Sequence, residues 1–131
     1  MYTIYDVERV LERHPWLRPP KHVFIVKERI EFTAPGIKVL FRGLQPSWRP
    51  DVIIISAPYA TDETVIHEIL HTYGLGEYGA HKLAPVIVRL RSVVPTVFVR
   101  EVRYRKCDYC DEFKEVHERL GDKVEHWVLV G

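Results

Sequence analysis

The sequence predicts an α+β fold, a small twisted and mainly antiparallel sheet with an N-terminal helix, a second helix bearing the functional residues, and a C-terminal β tail. Three observations predict it. Apolar, β-branched runs at 22–26, 37–41 and 52–55 have the composition of strands, residues 3–14 carry a helical apolar period, and residues 61–73 join an N-cap to an apolar stripe. With 131 residues, 15.4 kDa and 47% hydrophobic content, the chain has enough apolar surface for one core. It is therefore read as one domain, 1–131, of which 95–131 form the tail.

In the first helix Ile4, Val7, Val10 and Leu11 share one side, and Pro15 with Pro19-Pro20 stops it. It is expected to cover one face of the sheet. The first strand, 22–26, is expected to extend through Ile30-Glu31-Phe32, with a hairpin at Ala34-Pro35-Gly36 leading into 37–41. Residues 43–50, holding Pro46, Trp48 and Pro50, are expected to form a loop before the third strand at 52–55. Thr61 suits an N-cap, Asp62 and Glu63 suit the positive end of the helix dipole, and Val65, Ile66, Ile69, Leu70 and Tyr73 form the buried stripe. Gly74 and Gly76 then end the helix. Farther on, 83–94 predicts a helix with Pro85 in its first turn, 96–104 a strand, and 126–130 a short last strand.

Within the second helix stands His67-Glu68-Ile69-Leu70-His71, an H-E-x-x-H pentad. Random order of a chain with this composition yields such a pentad about 0.03 times, so chance is a poor explanation. The spacing has a physical meaning. Residues four apart lie on one helix face, so both imidazoles can reach one ion, while Glu68, about 100° round, stands beside it. Zn²⁺ lowers the pKa of bound water towards about 7, and Glu68 can take that proton as general base and pass it to the leaving amine. Catalytic zinc takes three protein ligands and keeps one position open. The candidates for the third are Glu77, six residues past His71, His81, ten past it, and a distant acid such as Glu101.

From His67 to Glu77 the chain reads H-E-x-x-H-x-x-G-x-x-E, which resembles the metzincin signature with an acidic final position, although the only methionine, Met1, precedes the site. Over about 80 residues the order of elements is similar to the SprT-like zinc peptidases, the family of the DNA-repair protease Spartan. The residues carrying that likeness are the strand Ile53-Ile54-Ile55, the pentad, His81 ahead of an apolar segment, and Tyr104-Arg105-Lys106 entering Cys107-Asp108-Tyr109-Cys110. The resemblance implies a zincin-like metallopeptidase, a hydrolase with His81 as third ligand and a polypeptide substrate. In this chain Lys82 follows His81 where that family commonly has glycine, and no second C-x-x-C is present.

Cys107 and Cys110 are the only cysteines. Three states are open to them: a structural zinc shared with His117 and His126, a disulfide, or free thiols. The net charge of +1 makes no overall case for nucleic acid. A local one rests on Arg100, Arg103, Arg105 and Lys106, interleaved with Tyr104 and Tyr109, and supports a second reading as a non-catalytic, metal-stabilised binding module. No apolar run reaches 18 residues and no charged-then-apolar leader opens the chain, so a soluble, cytoplasmic protein without membrane contact is expected. Asparagine is absent and Gln45 is the only glutamine, a bias of thermophile proteins.

Overall fold

The computed structural model describes residues 1–90, 101–108 and 110–131. The expected helix end at 91–94, the strand residues 96–100 and Tyr109 lie outside them. Helix α1 (Ile4–Arg13) is followed by β1 (His22–Val26), β2 (Ile30–Ala34), β3 (Ile37–Phe41), β4 (Gly43–Leu44) and β5 (Val52–Ser56). Then come α2 (Asp62–Thr72), α3 (Glu77–Arg89), β6 (Tyr104–Lys106), α4 (Lys114–Leu120) and β7 (Val124–Leu129), with single 3₁₀ turns on either side of α4.

Among the described residues, five strands form one mixed sheet in the order β4-β5-β1-β7-β6, in which β1 and β5 run parallel and the other neighbours antiparallel. Period-2 alternation gives the central strands β1 and β5 two apolar faces. Val23 and Ile25 of β1 and Ile53 and Ile55 of β5 join the main core with Val7, Leu11, Val65, Ile66, Ile69 and Ala84 of the helices. On the opposite face Phe24, Val52 and Val124 pack against Phe113 and Val116 of the α4 region. The domain is thus α1, α2 and α3 over one side of the sheet and the short α4 segment over the other.

Helix α1 buries the predicted residues Ile4, Val7, Val10 and Leu11. It also buries Glu8, whose carboxylate accepts the Tyr104 N–H at 2.7 Å, while Glu12 accepts from Val102 N–H at 3.3 Å and the Arg103 guanidinium at 2.8 Å. These carboxylates satisfy donors at the β6 edge, which blunts an edge open to pairing.

Several expectations are corrected. The turn at Pro35-Gly36, with Gly36 at φ +79°, joins β2 to β3 as a separate two-stranded ribbon. The first strand does not run on to Phe32, because β1 ends at Val26 and the polar run Lys27-Glu28-Arg29 leaves the sheet, so five strands rather than three precede α2. Part of the expected 43–50 loop is the edge strand β4, pairing Gly43 with Ile55 and Leu44 with Ile54. Two residues, one of them glycine, carry no readable period. The helix after the site starts at Glu77, not 83, and holds Pro85 mid-helix, where its missing N–H leaves the His81 carbonyl without its usual partner. Ala80 and Ala84, both buried, hold that helix against the core in spite of the proline. Residues 101–103 are not strand. Tyr73 is 44% exposed rather than core; its hydroxyl accepts from the Arg18 N–H and the Arg18 guanidinium lies 4.8 Å from its ring centre. No helix among the described residues is long and apolar enough to cross a membrane.

Candidate metal centre

Helix α2 begins as its sequence predicts, with Thr61 Oγ1 accepting from the Thr64 N–H at 3.3 Å. Its stripe of Val65, Ile66, Ile69 and Leu70 locks into the main core, which fixes the rotation of the helix and turns His67 and His71 towards its rim. The two Nε2 atoms lie 3.1 Å apart. After the helix, Gly74 takes φ +86°, a conformation that favours glycine, and the chain doubles back into α3. That reversal delivers Glu77, the first residue of α3, to the same point. Its Oε1 is 2.9 Å from His67 Nε2 and its Oε2 is 3.0 Å from His71 Nε2.

The histidines are oriented for ligation. His71 Nδ1 lies 2.8 Å from the Leu75 carbonyl, which can only accept, so Nδ1–H donates there and Nε2 is the nitrogen turned to the shared point. Burial holds His67 below the usual imidazole pKa, against the opposing pull of Glu77. It is therefore neutral at pH 7, the form in which an imidazole can ligate a metal.

Glu68 faces inward. It is buried, and burial with the nearby Glu77 charge raises its carboxyl from the ordinary range to about 8 when no cation is bound. A Cβ added at Gly43 would fall 2.9 Å from Thr64 Cγ2 and 3.0 Å from Glu68 Cγ and Oε2, so the β4 backbone lies directly against this carboxylate. One Glu68 oxygen and one ring nitrogen each of His67 and His71 lie within 4.8 Å of one another, a group able to hold a metal ion.

Two adjoining hollows of about 350 and 470 Å³ meet at His67, Glu68 and Glu77, one walled by Leu40 to Gly43 and Pro85, the other by Leu44, Gln45 and Pro50. Together they make a cleft between the β4 edge with the end of β3 on one side and α2 with α3 on the other. His81, one turn beyond Glu77 on α3, is exposed and lines the first hollow. Glu101 is excluded by position: it is exposed, pairs with Arg103 at 3.0 Å and adjoins β6, the sheet edge opposite β4.

A second cluster lies on the α4 side of the sheet. Cys107 and Cys110 are joined as a disulfide, and one ring nitrogen of His126 lies within 4.8 Å of their sulfurs. His126 is 1% exposed, with Nε2 2.9 Å from His22 Nδ1 and Nδ1 3.2 Å from His117 Nε2. Burial, then the neighbouring His22 and His117, lower its pKa to about 4.

Of the basic stretch, Arg103 to Lys106 are described. Tyr104 is buried with its hydroxyl donating to the Pro20 carbonyl, Arg103 is paired with Glu12 and Glu101, and Arg105 and Lys106 are exposed on β6. Sequence reasoning did not identify Gly43, the Leu75 carbonyl or His22 as parts of either cluster. A glycine in a short loop, a main-chain oxygen and a histidine 104 residues from its partner carry no local signal. Comparison with protein-family models, with curated proteins and with solved structures finds no match to this chain.

Proposed function

We propose that the chain is a zinc-dependent metallopeptidase of zincin type, with His67, His71 and Glu77 as the metal ligands and Glu68 as general base. The observation that carries the reading is the meeting of both Nε2 atoms and the Glu77 carboxylate within 2.9–3.1 Å of one another. Ligands about 2.0–2.2 Å from a tetrahedral zinc stand roughly 3.3 Å apart, close to these separations. Two imidazoles and a carboxylate suit that ion, which when bound polarises a carbonyl and acidifies water.

The remaining steps belong to the chain's own groups. Glu68 is held by the β4 backbone on one side and the helix on the other, in a buried pocket where a nearby cation would draw its pKa back down and leave it ionised. There it can accept the proton of the attacking water and return it to the departing amine. The exposed β4 edge can pair with an extended polypeptide laid along the cleft, placing the scissile carbonyl over the ligands. Glu77 as third ligand favours the metzincin-like spacing over the SprT-like one, in which His81 would ligate; His81 instead lines the cleft where substrate would lie.

The test is hydrolysis of a mixed-sequence quenched peptide library by zinc-loaded protein, beside Glu68→Gln. We expect the variant to keep its zinc and to lose a factor of about 10²–10⁴ in turnover. Hydrolysis left unchanged by Glu68→Gln would overturn the peptidase reading.

A further inference from the structure

The cysteine–histidine cluster on the α4 side of the sheet has the composition of a second metal site. We propose that, when the disulfide is reduced, Cys107, Cys110, His117 and His126 bind one zinc-class divalent cation, and that disulfide and metal are mutually exclusive states of the C-terminal segment.

The geometry comes from four places in the chain. Cys107 N–H donates to the His126 carbonyl at 2.8 Å, which sets the first cysteine across from His126 at the end of the β6–β7 ladder. Cys110 follows with its Cα 6.2 Å from that of Cys107, which lets both sulfurs face one point. His117 enters from α4, its Nε2 3.2 Å from His126 Nδ1. That separation is near the roughly 3.3 Å expected of two nitrogens on a tetrahedral zinc. One sulfur from each cysteine and one His126 nitrogen already lie within 4.8 Å of one another.

The His126 ring is held in advance. Phe24 stacks on it at 4.2 Å and 9°, and its Nε2 lies 2.9 Å from His22 Nδ1, with His22 Nε2 3.5 Å from a Glu112 carboxylate oxygen. The His22 contact engages one nitrogen of His126, the kind of outer partner that orients a ligating histidine, and its other nitrogen faces His117. The adjoining hollow, about 370 Å³, is lined by the carboxylates of Asp108, Glu118, Asp122 and Glu125 against the ammonium groups of Lys27 and Lys106, an excess of two negative charges (4 against 2) that favours a cation. Thiolate with imidazole selects zinc over hard ions such as Mg²⁺ or Ca²⁺.

Exclusivity follows from the sulfur electrons. A dithiol reductant breaks the Cys107–Cys110 bond and closes its own disulfide, passing two electrons and two protons to the cysteines. Those protons leave as the thiolates ligate the ion. Closing the disulfide again removes both anionic ligands.

The test uses full-length His67→Ala, which disables the other centre, stripped with chelator, reduced anaerobically with a dithiol and titrated with Co²⁺. The expected result is one equivalent bound with a thiolate-to-cobalt charge-transfer band, displaced by Zn²⁺, and absent both without reduction and in the added Cys107→Ser and Cys110→Ser variants. Two titratable thiols with no such band would overturn the proposal. His117→Ala, a change at a half-buried helix position, should weaken Co²⁺ binding by about tenfold or more. Unchanged affinity and spectrum in that variant would overturn the four-donor assignment. The proposal does not depend on peptidase activity, since no arm of the test reads hydrolysis.

Discussion

At the scale of the residue, Glu68 shows how one carboxyl group is set by where its helix is pinned. Its ordinary pKa lies near 4.5, but burial and the charge of Glu77 lift it to about 8 in the metal-free chain. The folded form therefore binds this proton more tightly than the unfolded form. The stabilising contribution is fully present below about 4.5 and is lost as pH rises through about 8. In chelator, wild type should lose stability between those limits, whereas Glu68→Gln should lack that part of the slope and be the more stable protein at pH 9. Urea midpoints of both proteins across that range check it; parallel curves would mean that Glu68 is ionised in the metal-free fold. That His67 and His71 face one point was legible from spacing alone, because helix geometry is local. That the Glu77 carboxylate, and not His81, meets them was not legible, since both lie beyond a turn whose direction depends on Gly74.

At the scale of the element, β4 determines what helix α2 can do. Two residues of edge strand bring the Gly43 backbone against Thr64 and Glu68, with no room for a Cβ. Gly43→Ala must move either the strand or the carboxylate, because Thr64 is held at its own Oγ1 by the N-terminal turn of α2. Overpacking of this kind costs about 1–3 kcal/mol. The expected outcome is a thermal midpoint lowered accordingly and, under the peptidase reading, a turnover reduced more than substrate affinity. An unchanged melting curve would show that the β4 edge yields freely. The β2–β3 ribbon illustrates the complementary limit. Pro35-Gly36 makes the turn visible in the sequence, but which strands it joins depends on where β1 leaves the sheet.

At the scale of the whole molecule, the sheet carries its two candidate centres in different places. The His67–His71–Glu77 centre sits beside the β4 edge on the three-helix face, and the cysteine–histidine cluster sits on the opposite face at the end of the β6–β7 ladder. Strand β7 pairs directly with β1, so the tail is part of the main sheet and not an appendage. Metal binding at either centre should therefore stabilise the domain as one unit. Free Zn²⁺ at 100 times its dissociation constant should add about 2.7 kcal/mol per site to the unfolding free energy. Under non-reducing conditions that gain should vanish in His67→Ala; if the gain persists there, the stabilising ion binds elsewhere.

The sequence by itself determined the α1 and α2 helices, their apolar stripes, the runs that become β1, β3 and β5, and the pair of histidines that face one point. All of these rest on periods and caps within one or two turns of chain. Tertiary structure decided the rest: Glu77 as the carboxylate that meets the two histidines, Gly43 as the wall of Glu68, and His22 as the partner of a histidine 104 residues away. Such contacts join segments whose separation along the chain is set by strand order, and strand order is a property of how the whole sheet buries both its faces.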